Sequence, residues 1–174
     1  MQETLKDLKT RRSCRKYSPK QITKAELEAV LEAGTYAPSG HGYQSAVIVV
    51  VQEPKLLAEL SNINRVIKKT NADQFYGAPT LLIVLADKKR PTYMQDGSLV
   101  LGNLLNAAHA VGLGSCFIFR AKETFETARG KELLQEWGLN EDYVGIGNCI
   151  LGYPEAGGTG KAAPRKENYV IYPK

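Results

Sequence analysis

Arg11-Arg12-Ser13-Cys14-Arg15 gathers three guanidinium groups and a hydroxyl into five residues. A guanidinium offers planar, paired N–H donors that match two oxygens of a phosphate, so this density of forks has the chemistry of a phosphate clamp. The same segment also fits a plainer role. Leu5, Leu8 and Lys9 are spaced as the end of a short helix, and cations favour a helix C-terminus. Further cations stand far along the chain at Lys161, Arg165 and Lys166. His41 and Tyr43 lie in a loop, Ala37 to Gln44, whose Gly and Ser residues suit either a ligand contact or plain exposure. His109, inside an apolar run, reads as a satisfied core or interface residue.

The missing chemistry narrows the classes. No carboxylate pair or Ser/His/Asp arrangement stands out for hydrolysis. Cys14, Cys116 and Cys149 are odd in number and lack CxxC spacing, so neither a disulfide framework nor a zinc site is expected, and no metal site of any kind. Gly157-Gly158-Thr159-Gly160-Lys161-Ala162 departs from a P-loop at Glu155 and Ala162. Gly112-Leu113-Gly114 and Gly145-Ile146-Gly147 lack the third dinucleotide glycine, at Phe117 and Ile150. These glycines read as turns or close-packing positions. A phosphate clamp with no acid–base set beside it suits a protein whose cofactor carries the chemistry.

These residues need a scaffold, and the chain has one. The 174 residues, 43% hydrophobic and 24% charged with a net charge of +5, suit a single globular domain over 1–174. No basic stripe interleaved with aromatics suggests nucleic acid, although a basic nucleic-acid-binding dimer stays open as an alternative. With no signal core and no apolar run long enough for a bilayer, the expected location is cytoplasmic. Thr23 and Glu26 form a capping box for a helix over 22–34, ended before Pro38. A β-branched run predicts a strand buried on both faces at 46–52, with a second buried strand at 80–86 and further strands at 115–119 and 144–151. Pro54 opens a helix to about Ser61, with 62–77 irregular or weakly helical, and another helix is expected over 124–137. Residues 98–111 form a helix apolar nearly all round, which needs cover from several sides, a second subunit among them. The tail over 152–174 is extended, and its strand-like Tyr169-Val170-Ile171-Tyr172 needs an edge to pair with.

From end to end the chain resembles the nitroreductase family of FMN-dependent oxidoreductases. The resemblance is carried by Arg11 to Arg15, Ala37-Pro38-Ser39 through Gln44, Tyr76-Gly77-Ala78-Pro79, Asp96 through Gly114-Ser115, Gly152-Tyr153-Pro154 and Pro164-Arg165-Lys166, in order. It implies an α+β fold with a mixed central sheet flanked by helices, in an intertwined homodimer holding FMN in pockets at the interface. By the same resemblance Arg11, Arg12, Ser13 and Arg15 hold the phosphate and ribityl, closed over by Arg165 and Lys166. Pro38, Ser39 and Gly40 reach the flavin from the other subunit. Asn71 contacts the ring or ribityl, and Phe117 and Ile118 pass beside the flavin N5. His41 and Tyr43 line the substrate pocket, and no side chain is assigned as catalytic.

Some positions depart from the family pattern: Gly42 replaces a common Asn, Ser45-Ala46 a Pro-Trp pair, Gln74 a Lys, and Phe119 a glycine. The implied reaction takes electrons from NADH or NADPH and passes them to a nitroaromatic, quinone or similar acceptor by a two-step ping-pong route. A flavin-binding or carrier module without turnover is the alternative from another class.

Overall fold

The computed structural model describes residues 2–173. Its centre is β2 (Thr80–Asp87), in which residues 80–86 are buried. Alternation sends Leu81, Ile83 and Leu85 to one apolar cluster and Leu82 and Val84 to a second on the opposite face. On one side β2 pairs with the edge strand β1 (Ala46–Val51), and on the other with β4 (Tyr143–Gly152); β3 (Gly114–Ile118) completes the order β1-β2-β4-β3. All three strand pairings are antiparallel. Within one chain the expected mixed sheet is therefore an antiparallel one, and parallel pairing is confined to an isolated bridge between Ser13 and Ser115.

Helices cover both faces. On the first, α3 (Pro54–Lys68), α5 (Ala121–Glu126) and α6 (Ala128–Glu136) contribute Leu56, Leu57, Leu60, Phe125, Leu133 and Leu134. On the second lie α2 (Lys24–Thr35) and α4 (Tyr93–Ala110), with Val30, Val100, Leu101, Leu104 and Ala108. The short α1 (Glu3–Thr10) buries no residue and touches α4 through Thr10 Oγ1 and His109 Nε2, 2.9 Å apart. The layers are thus helix, sheet, helix.

Local chemistry sets the boundaries. The capping box of α2 is formed as expected, and the same Glu26 carboxylate also accepts from Tyr153 at 2.7 Å, tying the chain after β4 to this helix. Pro54 opens α3 under the Glu53 side chain, but the helix runs to Lys68, well past Ser61, because Asn64 continues its buried face. The helix expected over 124–137 is two. Thr127 caps α6 by accepting from Gly130 N–H at 3.0 Å, and a Cβ at Gly130 would lie 2.1 Å from the Thr124 carbonyl, so only glycine permits this close crossing.

A bulge joins the fold to the site. Val84 pairs with Gly147 and Leu85 with Gly145, leaving Ile146 as the extra residue. Ile146 presses on Gly97 of α4, where a Cβ would meet its Cγ1 at 2.6 Å, while Gly145 lies against the Ala121 carbonyl, 2.3 Å from an added Cβ. Gly145-Ile146-Gly147 is therefore a close-packing device.

Two further expectations change, at β1 and at the tail. β1 is an edge strand, half-buried over most of its length, rather than covered on both faces. Within one chain the apolar helix leaves Leu99 and the following Val111 exposed. Tyr169 to Tyr172 form no strand and are exposed. Among the described residues no helix is long and apolar enough to cross a membrane.

Candidate active site

Past the end of α1 the chain runs extended alongside β3. Cys14 N–H donates to the Ser115 carbonyl and Arg15 N–H to the Gly158 carbonyl, both at 2.8 Å. This stitching turns the Arg box toward residues 160–165 of the tail. Arg11, Arg12, Ser13 and Arg15 line one cavity of about 850 Å³ with Leu8, Lys9, Gly160, Lys161, Ala162, Ala163 and Arg165. Six of these residues are cationic and none is acidic. The two basic clusters, some 150 positions apart in the chain, face one space.

Within the cluster the roles differ. Arg12 Nη1 donates to the Lys9 and Arg11 carbonyls at 2.8 and 2.6 Å, so one of its nitrogens caps the end of α1. The plain reading of the Arg box holds for that nitrogen. Arg165 Nη2 donates to the Ala163 carbonyl at 2.7 Å, which bends the tail locally. Lys166 does not line the cavity; its Nζ lies 5.4 Å from the Tyr169 ring. Cys14 is buried within the box, with Gly114 and Gly158 both close to its Sγ.

The other expected residues lie elsewhere in the chain. Pro38 and Ser39 line a smaller, largely apolar cavity of about 390 Å³ beside β1 and α2, and Asn71 lines a third of about 700 Å³ with Arg65 and Asp73. Phe117 and Ile118 end β3, Phe117 exposed and lying over Gly147. One chain thus assembles the cation cluster but leaves the Pro38 loop apart from it.

The Pro38 loop is held firmly. The buried carboxylate of Asp96 accepts Gly40 N–H at 2.9 Å, Ser45 Oγ–H at 2.7 Å and Thr92 Oγ1–H at 3.2 Å. Burial pushes this carboxyl up, but the bonds from Ser45, Gly40 and Thr92 outweigh it and hold it below its usual value. Gly40 packs so tightly on Thr92 that an added Cβ would lie 2.3 Å from its hydroxyl. Beyond it, His41, Gly42 and Gln44 all have positive φ, of 51°, 68° and 47°. A non-glycine residue in that region is strained, and such strain persists only where the surroundings impose it. The tip carries a stack: His41 and Tyr43 rings have centroids 5.4 Å apart, and the Arg90 guanidinium sits 4.7 Å over the Tyr43 ring.

Sequence reasoning had not assigned Asp96, Arg90 or Lys161 to the site. A lone Asp opening an apolar helix was the available signal for the first. Lys161 stood in the tail cluster, and nothing in the sequence pointed Arg90 at Tyr43.

The sequence model of the Nitroreductase family matches residues 8–153. The chain belongs to the nitroreductase family. A relative from Archaeoglobus fulgidus, named "Putative NADH dehydrogenase/NAD(P)H nitroreductase", is 33% identical over 162 residues, 89% of this chain and 87% of its own. Among solved structures, a nitroreductase with bound FMN from Bacteroides fragilis superposes with a TM-score of 0.90 at 30% identity, covering all of both chains. An FMN-dependent nitroreductase from Clostridium difficile gives 0.80 at 26%, covering 98% of this chain and 96% of its own. The α+β fold of this family member is theirs.

The downward shift at Asp96 has a direct consequence. Its stabilisation is complete above the ordinary carboxyl value of ~3.9 and is lost as pH falls through the lower folded-state value. Asp96→Asn should cost about 1.5–3 kcal/mol at neutral pH, the usual range for hydrogen bonds to a charged group. Thermal unfolding of both proteins from neutral pH into acid should show the gap narrowing as the carboxyl protonates. A gap that stays constant would mean that the charge is not what holds the loop.

Proposed function

We propose that this chain is an FMN-dependent oxidoreductase that takes electrons from NADH or NADPH and passes them to a nitroaromatic, quinone or similar small acceptor. The observation that carries the reading is the cavity lined by six cations and no carboxylate. A phosphate monoester brings about two negative charges, and charge-assisted bonds to Arg and Lys each contribute on the order of 1.5–3 kcal/mol. The donor set and the size of the cavity fit the phosphate end of FMN. That the similar structures from B. fragilis and C. difficile are FMN-bound and FMN-dependent supports the identity of the ligand, and the A. fulgidus relative's name supports the donor.

On this reading the whole of 1–174 serves one FMN-binding unit. Arg11, Arg15, Lys161 and Arg165 neutralise the phosphate, with Ser13 adding a hydroxyl. Arg12 contributes only the nitrogens that do not cap α1. Lys166 extends the positive field without lining the cavity. Phe117 and Ile118 border the ring along β3, and Asn71 reaches its polar edge. Bound FMN supplies the two-electron chemistry; the chain's residues bind, orient and shield. Pro38, Ser39 and the pinned Gly40 come from a second copy. The open edge of β1, the exposed Leu99 on α4, the exposed Val111 just after it and the exposed Tyr169 to Tyr172 are surfaces that a second copy would cover. The proposed assembly is therefore a homodimer, with His41 and Tyr43 facing the acceptor.

The clamp is tested by ligand choice. Replacing Arg15 and Arg165 together by Ala, which spares the cap made by Arg12, should weaken FMN at least tenfold while changing riboflavin binding little, because riboflavin has no phosphate. Equal losses for the two ligands would remove the phosphate from this cavity.

The assembly is read by light scattering at micromolar concentration, where the expected mass is twice the 19.1 kDa of one chain. A monomer that still binds FMN one-to-one would defeat the shared pocket.

Turnover is tested by steady-state kinetics with NAD(P)H against menadione or a nitroaromatic. Donor and acceptor taking turns over one ring give parallel double-reciprocal lines. Tyr43→Ala should alter acceptor preference with FMN affinity intact. Converging lines would exclude the shared site, and bound flavin that neither nicotinamide reduces would make the protein a carrier.

A further inference from the structure

The peptide joining Phe119 to Arg120, just beyond β3, is anchored from one side. Its carbonyl accepts Asn64 Nδ2–H at 3.0 Å. Its N–H, on the opposite side of the trans plane, finds no partner among the described residues. Arg120 itself adopts φ 76° and ψ 17°, the left-handed region that side-chain-bearing residues rarely enter. The flanking Phe117 and Phe119 are exposed, 41% and 60%, with the Arg120 guanidinium 5.8 Å from the Phe119 ring. A strained, half-anchored peptide with a vacant donor thus stands in an aromatic surround at the end of a strand.

The anchor is unusual too. Asn64 is wholly buried on α3, and its Oδ1 has no hydrogen-bond partner among the described residues. A buried acceptor without a donor weakens the folded state, so a leucine of similar size would serve packing better. Asn64 makes one bond from there, and that bond goes to the Phe119 carbonyl. A hydrogen bond to a peptide carbonyl also polarises the amide and strengthens the N–H on its other side.

We propose that Asn64 is a positioning residue for the redox site: through the Phe119 carbonyl it fixes and polarises the peptide whose free N–H, at Arg120, is presented to the ring of the flavin. The assignment deepens the proposed function and rests on its placement of the ring along β3. An oriented donor at the ring favours the form with more electron density there, so the Asn64 bond tunes the balance between oxidised and reduced flavin without touching either.

The test uses the intact chain, with and without FMN. In ¹⁵N-labelled wild type the Arg120 amide resonance should move on FMN loading. Asn64→Leu should leave the melting temperature unchanged or raise it, because the orphaned oxygen is gone. It should also reduce the Arg120 shift and change the ratio of dissociation constants for oxidised and dithionite-reduced FMN by about tenfold, against the reduced form. A purely structural Asn64 would lower stability on replacement and leave that ratio alone. Should Asn64→Leu fail to fold, Asn64→Ala, which is smaller and carries no donor, reads the same two quantities. A folded, FMN-bound variant with an unchanged ratio and an unchanged Arg120 amide overturns the assignment, as does a wild-type Arg120 amide indifferent to FMN. Wild type that takes up no FMN at all defeats the proposed function itself.

Discussion

The arrangement depends on an extended segment that belongs to no helix and to no long strand. Arg11 to Tyr17 is threaded between the start of β3 and the chain that follows β4, and the two backbone bonds from Cys14 and Arg15 hold it there. Close approach makes this possible. A Cβ at Gly114 would meet Cys14 at 2.9 Å, one at Gly152 would meet Tyr17 at 2.9 Å, and one at Gly158 would meet the Lys16 carbonyl at 2.8 Å. The buried Tyr17 hydroxyl closes the segment on itself by donating to the Cys14 carbonyl at 2.7 Å. Burial pushes that phenol up, so it stays neutral where an ionised group could not be accommodated. Six cations around one cavity repel one another; what keeps them together is backbone that cannot move away.

The sheet serves this segment in turn. With both faces of β2 buried, it offers the fold a rigid centre, and every functional segment is attached at an end of a strand rather than along its length. The Arg box and the tail meet where β3 begins and β4 ends. The Asp96 loop stands at the start of β1, and the Phe119–Arg120 peptide follows β3. Rigid elements with reactive groups on their connections are the usual way to combine precision with access.

Much of this was legible in the sequence, for identifiable reasons. The Thr23/Glu26 capping box, the four strands and the apolar α4 are signalled by local patterns that tertiary contacts reinforce. The Arg box announced itself by charge density. What stayed hidden depends on contacts between distant residues. α3 continued past Ser61 because Asn64, polar by sequence, turns inward to a carbonyl 55 residues away. The break at Thr127 came from a helix crossing that needs Gly130, and a single glycine in a helical pattern does not state which neighbour it accommodates. Ile146 as a bulge was invisible because its two flanking glycines fit a turn equally well. The edge status of β1 follows from strand order, which hydrophobicity does not encode.

Asp96 and Asn64 show two uses of a buried polar group. Asp96 has three donors converging on two oxygens, and the result is a loop fixed strongly enough to hold positive φ at His41, Gly42 and Gln44. Asn64 has one good bond and one orphaned oxygen, and the result is a peptide held by its carbonyl with its N–H left available. A fully satisfied group rigidifies its surroundings; a half-satisfied one transmits orientation to a neighbour that must still engage something else. The first kind builds the wall of a site, and the second aims a donor into it. Both lie where neighbouring helices, α4 and α3, reach the ends of strands, so the two faces of the sheet each supply one.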